Sequence, residues 1–204
     1  LNAVYTPTAA ERTAGTVTLT LTSAGNGTCN AVSDQVTWTI TPAPTVNAGA
    51  DVSICANNAA VALSATVGGA TGGVWSGGNG SFTPNNTALN ATYTPTPAEI
   101  AAGTLTLTLT STGNGNCNAV SSSRVITFTP APTVNAGANQ TVCANNASIN
   151  LNGSITVATG AIWSGGTGTF SPNNSTLNAV YTPSAAERAA GTVTLTLTTA
   201  GNGN

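Results

Sequence analysis

The chain repeats itself at an offset of 88 residues, and no other feature restricts its fold as much. "APTVNAGA" at 43–50 returns at 131–138, and "LNAVYTP" at 1–7 returns as "LNATYTP" at 89–95 and again at 177–183. "GTLTLTLTSTGNGNC" (103–117) has close copies at 15–29 and 191–204. A fixed period is the mark of a repeat architecture. This one exceeds the roughly 20–45 residues of a solenoid turn and fits an independent small domain of about 50–200 residues. The expectation is beads on a string. Residues 1–42 are the C-terminal part of one repeat, 43–130 a complete repeat, and 131–204 a repeat lacking its last strand. "TPAPTV" at 41–46 and 129–134 joins them, and a proline-rich joint is extended and semi-rigid.

Inside one repeat the pattern is all-β. "TLTLTLT" (104–110) alternates strictly, the period of a half-buried strand, with Leu105, Leu107 and Leu109 facing a core. "AVALSATV" (60–67) puts Val61, Leu63 and Ala65 inward. Further strands are expected at 46–54, 72–78, 80–84, 89–96 and 124–130, with one helical turn at 97–103. Seven short strands punctuated by Gly, Asn and Pro argue for an immunoglobulin-like β-sandwich with Greek-key connections. Trp75 and Trp163 fall mid-repeat on the third strand, where such sandwiches bury a tryptophan. Trp38 stands where the complete repeat has Ile126, an exchange of one apolar residue for another that also predicts core. Asn-Gly turns account for "SGGNGS" and for the closing "GNGN".

Charge narrows the partners. Charged residues are 4% of the chain and His is absent. Arg12, Arg124 and Arg188 form no basic stripe of the kind that neutralises phosphates, so no nucleic acid is expected. No apolar run approaches the ~20 residues of a membrane span, so no membrane insertion is expected in this segment. Glu11, Glu99 and Glu187 occupy one repeat position, a single carboxylate per bead rather than a catalytic pair. A capping role in a solvated turn is the expected one. Arg12 and Arg188 follow the first and third of them, but Ile100 follows the second. Asp34 and Asp51 are too few for a calcium cage. The chain is read as a non-enzyme with no catalytic residue, no metal site and no cofactor.

The pattern "TVNAGADVSICANNAAVALSA" followed by "GGVWSGGNGSFTPNN" and "YTPTPAEIAAG" resembles the immunoglobulin/PKD-like tandem repeats of giant Bacteroidota cell-surface adhesins. The resemblance covers the whole chain. It implies type IX secretion, an extracellular cell-surface location, and adhesion or gliding, with surface polysaccharide or other cells as partners beside the neighbouring repeats of the same chain. A structural stalk is the leading reading. A carbohydrate-binding array built on exposed aromatics, with Tyr5, Tyr93 and Tyr181 in register, is one alternative. A laterally assembling multi-chain fibre is another.

The cysteines fall at two repeat positions, Cys29 with Cys117 and Cys55 with Cys143. No C-x-x-C spacing favours zinc or redox chemistry. In an exported β-protein they read as disulfides of an oxidising compartment. Pairing within one repeat is the ordinary arrangement. Against it, the strand count puts Cys55 and Cys117 at opposite ends of the bead, beyond the ~7 Å Cα separation that a bridge tolerates. A staple to the next repeat, reaching the residue after Asn204, is the competing expectation.

Overall fold

The computed structural model describes residues 3–201. The first elements are α1 (Ala9–Ala14), β1 (Thr16–Thr22) and β2 (Ser33–Thr39). Then come β3 (Thr45–Asn47), β4 (Val52–Cys55), β5 (Val61–Ala62), β6 (Thr66–Gly68), β7 (Gly72–Ser76), β8 (Ser81–Thr83), β9 (Thr92–Thr94), α2 (Pro97–Ala102), β10 (Thr104–Thr112) and β11 (Ser121–Thr129). The series restarts with β12 (Thr133–Asn135), β13 (Ile149–Asn150), β14 (Ser154–Thr156), β15 (Gly160–Ser164), β16 (Thr169–Ser171), β17 (Val180–Thr182), α3 (Ala185–Ala190) and β18 (Thr196–Ala200). The described residues are mostly strand, with three six-residue helices at one repeat position and 3₁₀ turns at Ala56–Asn58 and Ala144–Asn146. Two compact units divide it: Leu1–Val52 with Ala60–Ile126, and Ser53–Ala59 with Thr127–Asn204.

The complete repeat holds nine strands, β3 to β11, where the sequence pattern suggested seven. The expected strand at 46–54 is broken in two. Gly49 takes a φ of 86°, a left-handed conformation that favours glycine, and its N–H donates to Asn47 Oδ1 at 2.8 Å. Before the break β3 pairs with β6; after it, β4 joins the sheet β4-β11-β10-β7. The stretch 60–67 divides in the same way, β5 pairing with β9 in the sheet β5-β9-β8 while β6 returns to β3. One continuous run of alternation thus serves two layers, because the backbone changes sheets in its middle. The last strand starts at Ser121, earlier than expected.

Alternation decides the core. Val61, Leu63, Ala65, Leu107 and Leu109 are buried, as are Trp75, Ala91, Tyr93 and Ile126; Leu105 is half-buried. Leu109 lies opposite Trp75 across the antiparallel β10–β7 pair. In the second unit Leu151, Ala161, Trp163, Ala179, Tyr181 and Leu197 form the equivalent cluster. β18 there has β15 as its sheet partner.

In 16–39, β1 and β2 form a two-stranded sheet. Every residue of β2 is exposed. Trp38, expected in the core, is 42% exposed. Its strand has β1 on one side, whereas the equivalent β11 is flanked by β4 and β10. The closing Asn-Gly turn, 202–204, lies outside the described residues.

Candidate functional site

The polar cluster that recurs from repeat to repeat is built on Tyr93 and Glu99. Thr96 caps α2: its Oγ1 accepts the Glu99 N–H at 3.3 Å, and Glu99 Oε2 accepts the Thr96 N–H at 2.7 Å and the Thr96 hydroxyl at 2.9 Å. This is a capping box, which satisfies helix-end donors reciprocally, and Pro97 occupies the first turn. The capping role expected for Glu99 is thus present, but the turn is not a solvated one, since Glu99 is only 8% exposed. Its other oxygen, Oε1, accepts the Tyr93 hydroxyl at 2.8 Å and the Asn79 N–H at 2.6 Å. The Tyr93 oxygen in turn accepts the Gly80 N–H at 2.8 Å.

Sequence reasoning missed this link between the helical turn and the "SGGNGS" loop. The loop was read as a hairpin turn with no partner. A Cβ at Gly78 would fall on the Tyr93 hydroxyl and within 2.8 Å of Glu99 Oε1, and Gly78 has a φ of 77°. Its glycines therefore serve close approach to the cluster as well as turning. The signal available was the co-occurrence of this loop, the tyrosine and the glutamate in more than one repeat. Around Tyr181 and Glu187 the geometry is the same: Thr167 N–H to Glu187 Oε1 at 2.6 Å, Gly168 N–H to the Tyr181 oxygen at 2.9 Å, Ser184 N–H to Glu187 Oε2 at 2.8 Å. Tyr5 donates to Glu11, which also accepts from Thr8.

The electrostatics follow from the donors. Burial alone would raise the Glu187 carboxyl. The N–H groups of Ser184 and Thr167 and the hydroxyls of Tyr181 and Ser184 outweigh it and hold the group at about 2. Glu99 is lowered by the same balance: burial works against the charge, while donors from Thr96, Asn79 and Tyr93 prevail. Burial and the adjacent Glu99 push Tyr93 up to about 12, against the opposing Gly80 N–H. A carboxylate offers about four lone-pair sites, and at Glu99 four protein donors fill them. An ionised, saturated carboxylate is a latch between loop and helix, poorly suited to proton transfer.

The other candidate residues fall elsewhere. Arg188 donates to the Pro183 carbonyl at 2.6 Å rather than to the preceding glutamate. Asp51 accepts the Val125 N–H at 2.7 Å, a structural use. Arg124 is buried with its Nε unpartnered. Among the described residues no three Cys, Asp or Glu side chains gather as a metal site. No helix there is long and apolar enough to cross a membrane. Trp75 and Trp163 are 1% and 2% exposed, and Tyr93 and Tyr181 fully buried, so these in-register aromatics present no stacking surface for a sugar.

A groove of about 520 Å³ lies in the second unit, lined by Val142, Ile149, Leu151, Trp163, Val193 and Leu195 among others. Its lining includes residues 191–195, the stretch that leads from α3 into β18.

The disulfide expectation is corrected for pairs among these four residues. Cys29, Cys55, Cys117 and Cys143 are all free thiols. Cys55 Sγ lies 3.9 Å from the Pro130 carbonyl oxygen. Cys117 Sγ lies 3.7 Å from that of Thr41 and 3.6 Å from that of Pro42. Each therefore faces a different joint: Cys55 the one that follows the complete repeat, Cys117 the one that precedes it.

No family model matches the chain, and no curated protein matches it. Among solved structures it is similar to protocadherin gamma B2 extracellular cadherin domains 3–6, with 12% identity and a TM-score of 0.33, over 69% of this chain and 39% of that one. It is also similar to PcdhgB3 EC1-4, with 12% identity and a TM-score of 0.38, over 85% and 50%. The chain spans half or less of the length of these structures. The fold class is tandem immunoglobulin-like β-sandwich, carried by the strands and their pairing.

Proposed function

We propose that the chain is a length of structural stalk in a large secreted cell-surface adhesin, serving surface attachment or gliding, and that it is not an enzyme. The observation that carries this reading is the recurrence of the Tyr–Glu latch with its loop and capped turn. Each recurrence spends its polar groups on holding a bead together. The resemblance of "VWSGGNGSFTPNN" and "YTPTPAEIAAG" to repeats of such adhesins supplies the location and the finer role. Antibodies raised against the chain should label intact cells of the source organism. Labelling only after lysis would sink the extracellular reading. A glycan array separates stalk from lectin: retention of a glycan that is lost in a Trp38→Ala variant would favour the carbohydrate-binding alternative.

A further inference from the structure

The two half-buried thiols face the same feature from opposite sides. Pro42 and Pro130 are one repeat position, each closing a "TP" pair before the joint. At Pro42 the carbonyl oxygen is met by Cys117, from the repeat that follows the joint, at 3.6 Å. At Pro130 it is met by Cys55, from the repeat that precedes the joint, at 3.9 Å. Taking the two joints as equivalent, a joint with a repeat on both sides would set two sulfurs around one prolyl oxygen, no more than about 7.5 Å apart. Rotation about χ1 can bring two such thiols into bonding range when their Cα atoms lie within ~7 Å.

We infer that adjacent repeats are stapled by a disulfide across each joint, between the Cys55 position of one repeat and the Cys117 position of the next. This goes beyond the stalk reading and does not depend on where the protein is displayed. The oxidant is a disulfide of the exchange type. One thiolate attacks it to form a mixed disulfide, and the second thiolate displaces the remaining thiol. The two cysteines lose two electrons and two protons, and the donor disulfide leaves as two thiols.

The test uses the whole chain with residues 117–130 appended directly after Asn204, so that the residue after Asn204 is the next repeat cysteine. Cys29→Ser and Cys143→Ser remove the exposed thiols, leaving three. Oxidised glutathione is the oxidant, and far-UV circular dichroism with a cooperative melt verifies the fold. The expected result is a fall from three free thiols to one, Cys117. Non-reducing peptide mapping should join Cys55 to the appended cysteine, and Cys55→Ser should abolish the link. A Cys55–Cys117 linkage, or separate glutathione adducts on a folded chain, would overturn the staple. Either result leaves the stalk reading standing, because surface labelling tests that independently.

Discussion

Changing Tyr93 to Phe isolates the latch from the packing around it. The ring stays, with its tilted contact to Phe82 at 4.8 Å between centroids, while the hydroxyl is lost. That hydroxyl donates to the ionised Glu99 and accepts from the Gly80 N–H, both at 2.8 Å. A hydrogen bond to a charged group contributes about 1.5–3 kcal/mol, and a buried donor left without a partner costs about 1–3 kcal/mol. Partial relaxation of the loop makes roughly 2–4 kcal/mol the expected loss. Tyr5 supplies an internal control. Its hydroxyl meets Glu11, is only half-buried, and has no loop N–H bonded to it among the described residues. Tyr5→Phe should thus cost clearly less than Tyr93→Phe, since solvent screens a partly exposed pair. The assay is urea unfolding followed by Trp75 fluorescence in a Trp38→Phe, Trp163→Phe background, read as a midpoint shift at constant slope. If Tyr93→Phe costs less than about 0.5 kcal/mol, or no more than Tyr5→Phe, the argument that the hydroxyl locks loop to helix is wrong.

Gly78→Ala should destabilise the complete repeat by about 2 kcal/mol or more, since it combines a left-handed backbone penalty with a clash on the Tyr93 hydroxyl; an unchanged melting temperature would count against the close approach. Acid should weaken the second unit in a defined window. Glu187 sits at about 2 in the fold against an ordinary 4.5, so its contribution is fully present above pH 4.5 and is lost as pH falls toward about 2. Glu187→Gln should remove that part of the acid dependence. At high pH the sign reverses for Tyr93, raised from 10 to about 12: its contribution is present below pH 10 and lost as pH rises through about 12. Ultraviolet absorbance should show a phenolate that appears correspondingly late. Maleimide should label the exposed Cys29 and Cys143 before the half-buried Cys55 and Cys117, with mass spectrometry giving the order. Iodide should quench Trp38 fluorescence while sparing Trp75 and Trp163.

Much of the fold was legible because it depends on local periodicity. The Thr-Leu alternation of 104–110 becomes β10, and the capped turn at 97–103 becomes α2, since side-chain alternation and helix capping act over a few residues. The seven-strand count failed at 46–54 and 60–67. There an unbroken apolar pattern hides a change of sheet, and alternation reports which side chains are inward without reporting which strand lies alongside.

The repeat period, the absence of histidine, the buried alternation and the two cysteine positions belong to the sequence by itself, because each is a property of residue order or type. Three things were decided only in tertiary structure. Burial at the position shared by Trp38 and Ile126 depends on which strands lie alongside, β4 and β10 in the case of Ile126, and residue type alone does not supply them. The Tyr–Glu latch drew in a glycine loop about 20 residues away in the chain, because close approach arises where two distant segments fold against each other. Cys55 and Cys117 came to face prolyl carbonyls 75 residues distant, because the path of the strands, and not spacing along the chain, sets which backbone oxygen a thiol meets.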